Sequence, residues 1–294
     1  MNSSKITITA INGNSQRLDG GAMFGNAPRA VWERWSKPDE LGRINLACRA
    51  LLLKHKDRLI LLETGIGFFF DQKMRDRFGV QGNSHELLED LKKQGVSEED
   101  ITDVVLSHLH FDHAGGLLSP IDEGPFRLLF PNAKIFIGEK AWERAKHPHP
   151  RDRASFIPEL NSLLEAEFQK QDGRVRLVYG DSHPELPPFL SFTYTEGHTP
   201  GQMHTIVNGD EQRVLFAGDL IPGRPWVHLP ITMGYDRFPE KLIDEKKRLL
   251  ESFSDSGDLI FYTHDAEVCA SQVTFDGKRF KPDHEMHELA SIRI

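Results

Sequence analysis

Ser107-His108-Leu109-His110-Phe111-Asp112-His113-Ala114-Gly115-Gly116 (SHLHFDHAGG) follows directly on the apolar run Asp103–Leu106, DVVL. Three imidazoles and a carboxylate fall within six positions at the end of what reads as a strand. Loops at strand ends carry chemistry because a rigid sheet fixes where their side chains point. The His108, His110 spacing lets two imidazoles converge on one ion, while Asp112 and His113 lie on the next turn, placed for a second. Nitrogen and carboxylate ligands together suit zinc, and also Fe, Mn or Co, better than Ca or Mg.

Three further polar clusters stand in the same position relative to a predicted strand: TEGHTPGQ with His198, AGDLIPG with Asp219, and YTHDAE with His264. Four such clusters in one chain point to a shared site. By contrast, His147 and His149 sit in a Pro-rich loop (KHPHP) and read as ordinary surface histidines.

Around these clusters the chain alternates strands and helices. KITITAI (Lys5–Ile11) alternates as a strand. INLACRALLL (Ile44–Leu53) and RLILLE (Arg58–Glu63) read as a hairpin turning at Lys54–Asp57. DGGAMFGNAPRAVW (Asp19–Trp32) reads as an ordered Gly-rich loop. HELLEDLKKQG (His85–Gly95) has leucines on one face and a closing Gly, the pattern of an amphipathic helix. AKIFIG, RVRLVY, LSFTYTEG, HTIVNG, RVLFAG and DLIFYTHD supply further strands, and PEKLIDEKKRLLES a helix from Pro239. Helical patches at Glu139–Lys146 and Phe156–Gln171 form an insertion over about 139–172. No repeat or low-complexity linker divides the 294 residues, so one domain, 1–294, is expected.

The net charge of −8, without a Lys/Arg block, argues against nucleic acid as a partner. No run approaches the roughly 18 apolar residues of a membrane span, and MNSSKITITAINGN lacks the apolar stretch of a signal peptide. Two lone cysteines, Cys48 and Cys269, fit a reducing compartment. The expectation is a cytoplasmic enzyme.

The order HxHxDH…H…D…H, filled here by His108, His110, Asp112, His113, His198, Asp219 and His264, resembles the motif of the metallo-β-lactamase superfamily. That resemblance implies an α/β fold, an αββα sandwich with a two-metal site at one edge. It also implies the ligand sets: His108, His110 and His198 on the first ion; Asp112, His113 and His264 on the second; Asp219 between them. Two divalent ions about 3.5–4 Å apart lower the pKa of a shared water to about 7, which makes the chemistry metal-assisted hydrolysis. Asp112 is the candidate catalytic residue, relaying the proton to the leaving group. Glu63 stands where many relatives of the superfamily carry Asp in a D-T-G triplet, and its role is left open.

The DGGAMFG segment, SHLHFDHAGG and the GDLIP…MGYD segment together resemble the N-acyl-homoserine-lactone lactonase and methyl-parathion-hydrolase-like branch. The implied substrate is a small molecule with an apolar portion, opened at a lactone or ester bond. Met23, Phe24, Phe68, Phe69, Trp226, His228 and Tyr235 are the candidate substrate contacts, although a Phe run such as Phe68–Phe70 is ordinarily core. Some lactonases of this branch hold the carbonyl with a Tyr three residues beyond the shared Asp. Here that position is Pro222, so Tyr235 or His228 would have to substitute. Aryl esters, thioesters and organophosphates are the neighbouring alternatives, and an iron-dependent persulfide dioxygenase is the alternative from another class. Relatives often form homodimers, but no sequence feature demands one.

Overall fold

The structure, a computed structural model, describes residues 5–294. Strand burial explains the layering. In β4 (Arg49–His55), Ala50 and Leu52 face one apolar cluster while Leu51 and Leu53 face another. The same alternation holds in β5 (Arg58–Leu62), β6 (Asp103–Leu106) and β7 (Lys134–Gly138). A strand buried on both faces reads as a continuous hydrophobic run, which is why DVVL and KIFIG are so apolar.

These strands belong to a seven-stranded sheet that also holds β1 (Thr7–Asn12), β8 (Val175–Val178) and β15 (Ile292–Arg293), in the order β15-β1-β4-β5-β6-β7-β8. Its β5-β6-β7-β8 half is parallel. A six-stranded sheet packs against it, ordered β14-β13-β12-β11-β10-β9. Its members are β9 (Leu190–Thr195), β10 (Gln202–Asn208), β11 (Arg213–Phe216), β12 (Leu259–Phe261), β13 (Ala270–Phe275) and β14 (Phe280–Met286). Leu51, Val105, Phe136, Phe192, Val214 and Phe261 fill the space between the two sheets.

Helices cover both outer faces. Helices α4 (Glu86–Lys93), α6 (Glu139–Lys146) and α7 (Pro158–Phe168) bury Leu87, Trp142 and Leu160 against the first sheet. On the second sheet, Leu242, Leu250 and Phe253 of α8 (Pro239–Phe253) pack over Leu215 and Ile260. The result is the expected αββα sandwich, with β11 and β12 parallel and α8 as their crossover.

Two sequence expectations change. The run Ile44–Leu53 is not one strand: β3 (Arg43–Leu46) pairs with β2 (Gln16–Asp19) in a separate ribbon, and β4 begins at Arg49. The break falls where Ala47 N–H and Arg49 N–H donate to the carbonyls of His264 and Thr263, so the chain leaves its own ladder to bond the other sheet. The Gly-rich segment contains two short helices, α1 (Gly20–Phe24) and α2 (Arg29–Trp32), the first capped by Asp19. The remaining helices are α3 (Gln72–Phe78) and α5 (Phe111–Ala114).

Candidate metal centre

All seven expected ligands lie buried at one edge of the sandwich, each on a loop leaving a strand. His108, His110, Asp112 and His113 follow β6, with the last two on α5; His198 follows β9, Asp219 follows β11 and His264 follows β12. The turn Glu63–Gly67 after β5 interlocks with the end of the motif. A Cβ on Gly116 would stand 2.0 Å from the Thr64 carbonyl and one on Gly115 2.4 Å from that of Ile66, so only glycines allow this approach. Thr64 N–H closes the contact by donating to His113 O at 2.9 Å.

Two groups form. Ligand atoms of His108, His110, His198 and Asp219 lie within 4.8 Å of one another, as do those of Asp112, His113 and His264. Asp219 joins the groups: Oδ2 is 3.2 Å from His198 Nε2, and Oδ1 is 3.2 Å from His113 Nε2 and 3.1 Å from His264 Nε2.

The hydrogen bonds around the histidines decide what the cluster can hold. His113 Nδ1–H donates to Glu63 Oε2 at 2.8 Å, and His198 Nδ1–H to Asp236 Oδ1 at 2.9 Å. His264 Nδ1–H donates to Ala47 O at 2.6 Å. Ser107 Oγ–H donates to the other oxygen of Glu63, so that Oγ accepts from His108 Nδ1–H at 2.8 Å. Carboxylates and carbonyls only accept, so each of these rings carries its proton on Nδ1 and turns an Nε2 lone pair inward. Within the cluster, His113 Nε2 and His264 Nε2 are 3.2 Å apart, and His198 Nε2 is 3.2 Å from His110 Nδ1. His108 Nε2 and Asp219 Oδ1 are buried without any hydrogen-bond partner. Lone pairs facing lone pairs in a buried site need cations between them, so the residues fit two metal ions.

The titration behaviour of the metal-free cluster agrees. Burial and the adjacent imidazoles hold His108 and His110 well below the usual range. Burial also opposes charge on His113 and His264, but Glu63 and Asp219 beside the first, and Asp219 beside the second, raise both well above it. For Asp219, burial is outweighed by His113, His264 and His198, which keep its carboxyl well below its ordinary value. In the absence of ions, protons on the histidines offset the carboxylates.

The supporting residues were the harder ones to read in the sequence. Glu63, left without a role, orients histidines of both groups. It does so from a left-handed backbone conformation, φ 62°, tied by its N–H to Val105 O. Asp236, the last residue of the MGYD segment but not among the expected site residues, anchors His198. Gln16, the first residue of β2, donates from Nε2 to Asp112 Oδ2 at 2.6 Å. Glu63 had a signal in its triplet position and Asp236 in the MGYD segment; Gln16 had only its polarity.

The candidate substrate contacts separate. Trp226 and His228 line a cleft of about 900 Å³ whose wall also includes His264. Phe24 is not a surface for ligand: it is wholly buried, stacked between Trp32 and Trp226 with ring centroids 5.6 and 4.5 Å away. Met23 is buried beside it, and its carbonyl accepts the Trp226 indole N–H. Phe69 packs in the core against Phe70 and beside Gly115, and Phe68 lies buried under the Arg75 guanidinium. Tyr235 is partly exposed, and burial together with the charges of Asp112 and Asp19 pushes its hydroxyl up to about 12. From the insertion, Phe156 sets its ring edge-on to His110 at 5.0 Å.

An edge cluster of this composition on an αββα sandwich defines a class: the chain belongs to the metallo-β-lactamase superfamily, whose model matches residues 44–264. It is a metal-dependent hydrolase. Among particular proteins it is similar to the N-acyl homoserine lactonase AiiA of Bacillus thuringiensis subsp. kurstaki, 25% identical over 238 residues, covering 76% of this chain and 83% of that one. It also resembles an N-acyl homoserine lactonase of a Bacillus species, 27% identical over 179 residues, 60% of this chain and 61% of the relative. Two solved structures share the fold. One is a probable metal-dependent hydrolase from Staphylococcus aureus, with TM-score 0.85 at 23% identity, covering 99% of this chain and 100% of that one. The other is AidC, a dizinc quorum-quenching lactonase, with TM-score 0.72 at 22% identity, covering 96% and 95%. Among the described residues no helix is long and apolar enough to cross a membrane.

Proposed function

We propose that the chain opens the ring of an N-acyl-homoserine-lactone-type substrate, or a closely related ester, with two zinc ions at the edge cluster. The observation that carries this reading is the complete set of seven converging ligands, in a chain whose curated relatives are lactonases. His108, His110 and His198 would hold one ion, Asp112, His113 and His264 the other, and Asp219 both. Bound there, the ions supply a water that is nucleophilic at neutral pH and polarise the carbonyl under attack.

The protein's own groups do the rest. Asp112, held at Oδ2 by the Gln16 amide, carries the proton to the departing alkoxide oxygen. Tyr235 keeps its phenolic proton across the physiological range and donates it as a hydrogen bond to the substrate carbonyl, in place of the Tyr that Pro222 replaces. Asp236 and Glu63 keep the histidine rings in the tautomer that turns Nε2 inward.

A panel of lactones of several acyl lengths, thioesters, aryl esters and phosphotriesters, assayed on protein of known metal content, tests the reading. Lactone opening that depends on zinc, and its loss in Asp112→Asn with the fold intact, are the expected results. Turnover confined to another ester class reassigns the substrate, and iron without turnover of any ester overturns the hydrolytic role.

A further inference from the structure

The cleft beside His264 has a charge distribution at odds with the chain as a whole. The net charge is −8, yet the cleft is rimmed by Arg34, Lys37 and Arg279, each exposed and without an ion pair or side-chain hydrogen bond among the described residues. Its three acidic wall residues share a single cation. Arg224 takes all three: Asp265 at 2.9 Å, Glu267 at 2.9 Å and Glu285 at 2.8 Å. Lys281, the remaining cation of the wall, is paired with Asp276. The lining thus sets five cations against three carboxylates, and low-dielectric walls focus the resulting positive field instead of letting solvent dissipate it.

The rest of the lining mixes aromatic side chains with small, aliphatic and polar ones. Trp35 is 40% exposed and leans on Phe24, whereas Trp226, stacked on the same ring, is only 3% exposed. This rigid apolar wall, about 900 Å³ of space and a cationic rim together form the usual pattern of a small-molecule site.

We propose that this cleft binds an organic anion, an apolar body lying along Trp35 with its carboxylate or phosphate held by Arg34, Lys37 and Arg279. Because the wall reaches the metal ligand His264, the anion is the end of the substrate distant from the scissile bond. Assigning it to the substrate rests on the hydrolase reading above; the binding site itself does not.

Calorimetric titration of the metal-loaded protein with 4-phenylbutanoate and with its neutral carboxamide tests the site directly. The anion is expected to bind at least tenfold tighter, with a preference that shrinks as salt rises. In the triple variant Arg34→Gln, Lys37→Gln, Arg279→Gln, whose three side chains are all on the surface, the preference is expected to fall to twofold or less. An equal affinity for both compounds in the wild type overturns the proposal, as does binding of neither. A preference that survives in the triple variant overturns it too, since the carboxylate then sits on the metal ions. A pair of lactones differing only in a distal carboxylate or carboxamide separates the two readings. A KM lower for the anion in the wild type, and not in the triple variant, supports the substrate assignment. Turnover of neither lactone beside a positive titration removes the lactonase reading and leaves the anion site standing.

Discussion

Replacing Glu63 by Gln changes no volume, yet it strikes both groups of ligands. The Glu63 carboxylate receives two donors, His113 Nδ1–H at one oxygen and the Ser107 hydroxyl at the other, and Ser107 in turn holds His108. A carboxamide has one acceptor oxygen, so its NH₂ must face a second donor. Either Ser107 turns away and frees His108, or His113 moves its proton to Nε2, onto the lone pair that faces Asp219 and His264. Losing one hydrogen bond to a charged partner costs about 1.5–3 kcal/mol. A residue that orients a metal ligand is worth about 10- to 100-fold in metal affinity, or roughly 1.4–2.7 kcal/mol at about 1.4 kcal/mol per tenfold. The two routes agree, so Glu63→Gln is expected to bind its weaker ion about 10- to 100-fold less tightly. Competition against a chromophoric chelator measures this, and denaturant unfolding of the metal-free protein checks that the sandwich survives. Glu63→Asp keeps the charge but falls a methylene short, and should lie between the two. Affinities within threefold of wild type for both ions, in a folded Glu63→Gln protein, would refute the relay.

Asp236→Ala removes the carboxylate that fixes His198, so the ion held by His108, His110 and His198 should weaken by about tenfold or more; metal analysis at limiting zinc should show one ion retained in preference to the other. Phe24→Ala opens a void under Trp226 in a fully buried stack and should cost about 3–5 kcal/mol in urea unfolding. A change below 1 kcal/mol would mean that Phe24 does not brace the cleft. In the metal-free chain the raised His113 and His264 contribute stability in full below their ordinary value of 6.5, and that contribution is lost as pH climbs through their raised values. Metal binding must expel those protons, so apparent affinity should rise with pH over the same window. Calorimetry in buffers of different ionisation enthalpy should register the release, and heats independent of buffer would contradict it.

The strands and the ligands were legible for one physical reason. Strands covered on both faces write themselves as unbroken apolar runs, and the polar clusters that interrupt such runs must be where the sheets end. Legibility failed where a segment serves two masters. Residues 44–53 look like one strand because both halves are apolar, but the chain at Ala47–Cys48 bonds across to the His264 loop. The hairpin of β13 and β14 escaped notice because β14 is a mostly exposed edge strand with a polar sequence. Glu63, Asp236 and Gln16 act through contacts that join distant parts of the chain, and no local spacing announces a partner that far away. For Phe24 the residue type was right and its depth was not, since an apolar side chain behind a wall looks the same in sequence as one on it.

The ligands come from both sheets: four residues from the first, and His198, Asp219 and His264 from the second. In the proposed ligand sets each ion would tie together segments far apart in the chain, His108 to His198 on one side and His113 to His264 on the other. During synthesis the histidines of β6 emerge long before the strand that ends at His264, so neither full coordination sphere can exist until the second sheet has docked. With those ligand sets, loading would be a late event in folding and would act as a reversible cross-link. Stripping the metal should loosen the seam between the sheets before it disturbs either sheet.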